Sequence, residues 1–233
     1  MTLSGVTRES GGTRDSGGAR GRFITFEGGE GAGKSTQVRR LVESLRAKGI
    51  DCLQTREPGG AVGAEEIRAL LVNGEPGRWD GMTELLLHFA ARRDHLVKTI
   101  WPALAAGTWV VCDRFADSTF AYQGVGHDIG EDVVQKVYEI ALGDFRPDLT
   151  LILDLPVEDG LKRAGYRNGL VGGGEDRYER MGREFHGKLR AAFLAIAARE
   201  PERVAVVSAL GSMDEIEQAV AATVAERLGA DGL

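Results

Sequence analysis

The stretch Gly28-Gly29-Glu30-Gly31-Ala32-Gly33-Lys34-Ser35 has the spacing G-x-x-x-x-G-K-[S/T] of a phosphate-binding loop. Its flanks supply the context that this spacing requires. Phe23-Ile24-Thr25-Phe26 before it is short, apolar and β-favouring, and after it Val38, Leu41, Val42 and Leu45 recur at helical spacing until Gly49 stops the helix. Glycines let backbone N–H groups turn inward around a phosphate, and the N-terminus of the following helix adds partial positive charge. The candidate nucleotide cradle is therefore Gly28, Gly29, Glu30, Gly31, Ala32, Gly33, Lys34, Ser35 and Thr36. Lys34 is expected to reach the β- and γ-phosphates, and Ser35 to offer its Oγ to Mg²⁺. The loop alone does not separate kinases from GTPases, other ATPases or partition proteins. Glu30 is electrostatically out of place in it, and chemistry leaves two readings open: it points to solvent, or it faces a second substrate.

Working outward, Cys52–Thr55, Thr108–Cys112, Leu149–Leu155 and Val204–Val207 read as further strands. Helical spacing marks Ile67-Leu70-Leu71, a long segment over 82–105 that Pro102 bends or divides near its end, Val133–Leu142, Glu158–Ala164, Phe185–Ala198 and Ile216–Leu228. Helices alternate with mostly continuous apolar strands, which predicts an α/β fold: a five-stranded parallel sheet with helices on both faces. Residues 1–20, rich in Gly, Ser, Thr and Arg, read as a disordered tail, and 22–230 as one domain. Residues 165–177 hold five glycines in thirteen and interrupt a helix pair, so they read as a mobile lid.

Composition narrows the partners. The 233-residue chain has 42% hydrophobic and 27% charged residues, enough for a packed core in a water-exposed protein. A net charge of −6 argues against a nucleic-acid coat or an anionic membrane surface as the main partner. No apolar run approaches the ~20 residues of a membrane span, and no signal-peptide stretch opens the chain. Two cysteines, Cys52 and Cys112, sit in apolar strand-like runs and read as buried thiols, so the expectation is a reduced, cytoplasmic protein.

Thr108 to Arg114 is a buried strand that ends in an acid and a base. Ligands of open α/β sheets bind beyond the carboxyl ends of strands, so Asp113 is placed to help hold Mg²⁺ and Arg114 to grip a second anion. At this point the sequence becomes specific. Asp113-Arg114-Phe115 with Asp117-Ser118-Thr119-Phe120-Ala121-Tyr122-Gln123-Gly124 resembles the acceptor segment of thymidylate kinases. Thr55-Arg56-Glu57-Pro58-Gly59-Gly60, Phe89-Ala90-Ala91-Arg92, Gly143-Asp144-Phe145-Arg146-Pro147-Asp148 and Leu161-Lys162-Arg163-Ala164 are similar to further segments of that family, in its order. The resemblance implies a nucleoside-monophosphate-kinase-like fold, ATP and Mg²⁺ as phosphate donor and metal, thymidine monophosphate (dTMP) as acceptor, and a homodimer.

Residue by residue, the resemblance implies that Arg114 holds the acceptor phosphate, with Arg56, Pro58 and Ser118 beside the same substrate. An aromatic side chain on the long helix stacks on the base and an arginine one turn later bonds it. Phe89 with Arg93 has that spacing and is the preferred register; a slide of one residue gives His88 with Arg92. Tyr122 crowds the sugar against a 2′-hydroxyl, and Gln123 lies near the base. The family needs an extra cation over the transferring phosphate. Residues 28–33 contain no arginine, so the lid is expected to supply it from Arg163, Arg167 or Arg177, with Arg167 ranked first. Gly165 and the stretch 170–174 depart from related lids and leave the choice among them open. The alternatives are another P-loop kinase, or a nucleotide-dependent switch; the N-K-x-D guanine motif is absent, because both asparagines, Asn73 and Asn168, precede glycine.

Overall fold

The computed structural model of the chain describes residues 20–75, 77–171 and 181–230, and the side chains of 166–171 lie outside that description. Strands β1 (Phe23–Glu27), β2 (Cys52–Arg56), β3 (Trp109–Asp113), β4 (Leu149–Asp154) and β5 (Val204–Ser208) form one parallel sheet in the order β2-β3-β1-β4-β5. The order explains the composition of each strand. β1 lies in the centre between β3 and β4 and is buried along its whole length, whereas the edge strands β2 and β5 alternate between buried and accessible residues. All five predicted strands are present, each displaced by no more than a residue or two at its ends.

The two faces of the sheet have separate cores. Ile24, Phe26, Val111, Leu149, Leu151 and Leu153 pack against α1 (Lys34–Ala47) and α9 (Met213–Leu228). On the other face Phe23, Val110 and Cys112 meet α3 (Gly81–His95) and α6 (Glu131–Leu142), while Ile152 meets α8 (Arg183–Arg199). This period-two division is what a strand covered on both faces produces. Cys52 and Cys112 are buried and unbridged.

Three local differences from the sequence reading have physical causes. The long helix is not broken at Pro102: α3 runs into a π-helical segment (Leu96–Ile100) and then α4 (Trp101–Ala105), with the N–H of Trp101 donating to Leu96 O. Widening by one residue accommodates a proline that has no N–H to give its own turn. A short helix α5 (Ala116–Thr119) and a second π segment (Phe120–Gly126) follow β3, where no apolar periodicity announced them. The helix after β4, α7, spans Val157–Val171, so the first seven residues of the expected lid continue it; the rest of that lid and the N-terminal tail to residue 19 lie outside the described residues. The remaining helix, α2, spans Val62–Val72.

A buried polar cluster crosses the second face. Arg203 donates to both oxygens of Asp117, at 2.8 and 2.9 Å, and to Thr150 Oγ1, which is itself 2.8 Å from Thr25 Oγ1. Removing one member of a buried ion pair strands the other. Arg203→Ala is expected to lower unfolding free energy by about 3–5 kcal/mol, read from urea titrations, and Arg203→Met with Asp117→Asn to recover most of that loss.

Candidate active site

The phosphate loop owes its glycines to close neighbours. Gly28 has φ 126°, and a Cβ there would lie 2.5 Å from Leu153 O of β4; at Gly31, with φ 71°, it would lie 2.0 Å from Gly160 O of α7. Gly33 begins α1, and the N–H groups of Thr36 and Gln37 both donate to its carbonyl at 3.1 Å. Lys34 folds back across the loop, its Nζ donating to Gly28 O (3.0 Å) and Gly29 O (2.7 Å). Burial, helped by the charge of Arg114, pushes the Lys34 ammonium down to about 8. Ser35 Oγ donates to Asp113 Oδ2 at 2.5 Å, so the loop and β3 bring two hard oxygen donors together.

Arg114 follows β3 in the left-handed region, with φ 68°. Its Nη2 donates to Glu30 Oε1 (2.6 Å), and its Nη1 to Gly28 O (3.2 Å) and Ser118 Oγ (3.1 Å). Tyr122 OH also donates to Glu30 Oε1, at 2.8 Å, and the guanidinium lies 5.1 Å from the Tyr122 ring centre. Burial by itself lowers the Arg114 pKa, yet Tyr122, Glu30, Glu27 and Asp113 outweigh it and hold the group firmly protonated. Burial is also the main cause that raises the Tyr122 phenol, so it stays neutral. Glu30 thus does not point to solvent: it ties an arginine and a tyrosine beside the phosphate loop.

The two registers on α3 place their residues differently. Phe89 is 3% exposed and packs in the core, its ring edge-on to Tyr138 with centroids 6.1 Å apart. Arg93 leaves the site, donating to Ala141 O of α6 at 2.9 Å and covering Trp101. Glu84, His88 and Arg92, spaced by four, share the face toward residues 115–123. Gln123 Nε2 donates to Glu84 Oε1 (2.8 Å), and Arg92 Nη2 donates to Phe115 O (3.1 Å) and Thr119 Oγ1 (3.0 Å). His88 lies half-buried between them in sequence and on that face. A slide of one residue turns a helix by about 100°, and the run Leu-Leu-Leu-His-Phe-Ala-Ala is apolar enough to fit either phase.

Arg92 braces three elements. Its Nε donates to Glu57 Oε2 at 2.6 Å, and His95 Nδ1 lies 3.1 Å from Glu57 Oε1. Burial pushes the Glu57 carboxyl up, but Arg92 and His95 more than offset it and leave it below its ordinary value. Arg92 is 2% exposed, and its Nη1 is buried with no hydrogen-bond partner among the described residues. Nearby, Arg56 pairs with Glu65 at 3.1 Å near the surface, and Pro58 O accepts from Arg68 at 2.7 Å. Arg163 donates to Ala209 O at 3.1 Å, beside the loop after β5. The side chains of Arg167 and Arg177 lie outside the described residues.

Sequence reasoning did not single out Glu27, Glu84, His95 or Asp117. Glu27 ends β1 and is fully buried; it accepts from Phe115 N (2.7 Å), Ser118 N (3.1 Å) and Ser118 Oγ (2.5 Å). An acid closing an otherwise apolar strand was the available signal. Burial first, and then the charge of Asp117, push Glu27 up to about 7.

A phosphate loop after the central strand, with an acid and an enclosed arginine after its neighbour, makes this a P-loop phosphotransferase of the nucleoside-monophosphate-kinase kind. Comparison with known proteins narrows the class. A family model described as Thymidylate kinase matches residues 26–220. The thymidylate kinase of Caulobacter vibrioides is 54% identical over 210 residues, 90% of this chain and 99% of that protein, and the thymidylate kinase of Jannaschia sp. is 51% identical over 206 residues, 88% and 97%. The crystal structure of thymidylate kinase from Ehrlichia chaffeensis superposes with a TM-score of 0.71 at 31% identity, covering 88% of this chain and 99% of that one. The chain belongs to the thymidylate kinase family.

Glu27 gives the fold a defined pH dependence. Its folded-state pKa is raised from 4.5 to about 7, so the stability it contributes is fully present below pH 4.5 and is lost as pH rises through about 7. Urea unfolding at pH 5 and pH 8 should show this drop in the parent chain, and Glu27→Gln should abolish that part of it.

Proposed function

We propose that this chain transfers the terminal phosphate of ATP to dTMP, giving thymidine diphosphate, on the route to dTTP. The observation that carries the reading is Arg114, enclosed by Glu30, Ser118 and Tyr122 immediately beside the phosphate loop. A second fixed cation at that place suits a second phosphate, which a nucleotide switch does not need. Family membership supports the same acceptor.

Lys34 exchanges the carbonyls of Gly28 and Gly29 for the donor phosphates. Arg114 grips the acceptor phosphate and sets it in line with the donor, so the transfer needs no covalent enzyme intermediate. Glu30 keeps Arg114 aimed, and Tyr122 crowds the sugar. The half-buried ring of His88 provides the stacking surface, Gln123 borders the base, and the unsatisfied Nη1 of Arg92 has a base carbonyl as its natural acceptor. Ser35 and Asp113, as paired hard oxygens, fit Mg²⁺, which when bound neutralises charge on the donor phosphates. The lid arginines Arg163, Arg167 and Arg177 supply the further cation over the transferring group, an effect of about 10³–10⁵ in rate for an arginine so placed. Lid closure excludes water, which protects ATP from hydrolysis.

ADP release from MgATP is the test, run with single nucleoside monophosphates as acceptors. Turnover with dTMP alone is expected; turnover with another acceptor reassigns the base pocket, and none with any acceptor returns the weight to a switch. Arg114→Ala should lose at least about 100-fold in kcat/KM for dTMP while ATP binding survives. His88→Ala should raise the KM for dTMP, whereas Arg93→Ala should leave it unchanged.

The chain is further proposed to act as a homodimer in a reducing cytoplasm, the latter in keeping with its two buried thiols. Leu86 and Val97 on the long helix and Ile140 on α6, the last 86% exposed, are exposed apolar side chains that a second copy can cover. Ile140→Glu should shift sedimentation from dimer to monomer. No helix among the described residues is long and apolar enough to cross a membrane.

A further inference from the structure

Glu27 is costly to keep. A carboxylate with 0% exposure at the end of a buried strand forfeits its hydration, and an apolar residue ends a strand equally well. Its hydrogen bonds show what it does. Oε1 accepts from the N–H groups of Phe115 and Ser118, two donors that the first turn of α5 leaves without helical partners. Phe115 is the residue after Arg114, and the N–H of Arg114 itself donates to Phe26 O at 2.9 Å. Consecutive residues of β1 therefore hold both peptide N–H groups that flank the Arg114 Cα. A left-handed non-glycine residue is strained and persists only where its surroundings over-determine it. The side chain is held as well. Ser118 has one hydroxyl proton and gives it to Glu27 Oε2, which leaves its lone pairs facing Arg114 Nη1.

We infer that Glu27 is a positioning residue for Arg114, fixing both the backbone turn and the direction of the guanidinium that meets the acceptor phosphate. The inference rests on the role of Arg114 proposed above. Glu27→Gln is the informative change because it keeps the shape and reverses one hydrogen bond. The amide oxygen stays on the two backbone N–H groups, and the amide nitrogen then faces Ser118 Oγ. Ser118 must accept, and its proton turns onto Arg114, a donor against a donor.

Steady-state kinetics on the full chain at pH 8.5, where Glu27 is mostly ionised, should show the KM for dTMP raised about tenfold or more in E27Q, as for a lost hydrogen bond to a charged group, with the KM for ATP within about twofold. Ser118→Ala placed in the E27Q background removes the misdirected proton and should lower the KM for dTMP again. A purely structural role predicts a lower melting temperature, both KM values moving together and no recovery in the double variant, and that outcome overturns the proposal. An unchanged KM for dTMP in folded E27Q overturns it too. Should E27Q not fold, E27D carries the same test: it keeps the charge and shortens the reach, and an unchanged KM for dTMP there counts equally against the proposal. Arg114→Ala separates the two layers. If it leaves the KM for dTMP unchanged, the reading of Arg114 itself fails; if it raises that KM while E27Q does not, only the role of Glu27 fails.

Discussion

A guanidinium shut into the carboxyl edge of a parallel sheet needs acceptors, and meeting the needs of Arg114 organises the surroundings of the phosphate loop. Glu30 and Gly28 O from the loop and Ser118 from α5 each supply one, and Glu27 secures the last of these from behind. The constraint is electrostatic. Buried charge must be paired and hydrogen-bonded, or the fold loses several kcal/mol per ion. The same rule explains Arg92 between Glu57, Phe115 O and Thr119, and Arg203 between Asp117, Glu200 and Thr150.

These groups form a graded series from core to cleft. Asp117 is paired with Arg203 under the sheet, and burial first and then the Asp117 charge raise Glu27, which holds the turn at Arg114. Glu30 and Lys34 stand at the cleft itself. The deep members have all their partners within the protein. At the cleft, one amino group of Arg92 has no partner among the described residues, and Lys34 donates to loop carbonyls that phosphate oxygens outbid. Full satisfaction deep in the core gives rigidity, and partial satisfaction beside the cleft leaves donors over for a ligand.

What the sequence determined by itself was whatever depends on local pattern. Strand–glycine–helix order placed the phosphate loop, continuous apolar runs gave the five parallel strands, and an acid and a base at a strand end put Asp113 and Arg114 against that loop. Short segments with a fixed spacing carry that information because their geometry is set by neighbours in the chain. Only the tertiary structure decided which face of α3 looks into the cleft. Phe89 and His88 differ by one residue, and the choice rests on Tyr138 receiving one ring and on Glu84 and Arg92 engaging the segment after β3 on the other side. It also decided the posture of Glu30, whose partners Arg114 and Tyr122 are more than eighty residues away. The same holds for Glu27, which reads as a strand-ending acid until the crossover brings β3 alongside β1 and sets Phe115 and Ser118 over its oxygens. A side chain's partners across a sheet are fixed by strand order, and strand order is a property of the whole packed chain.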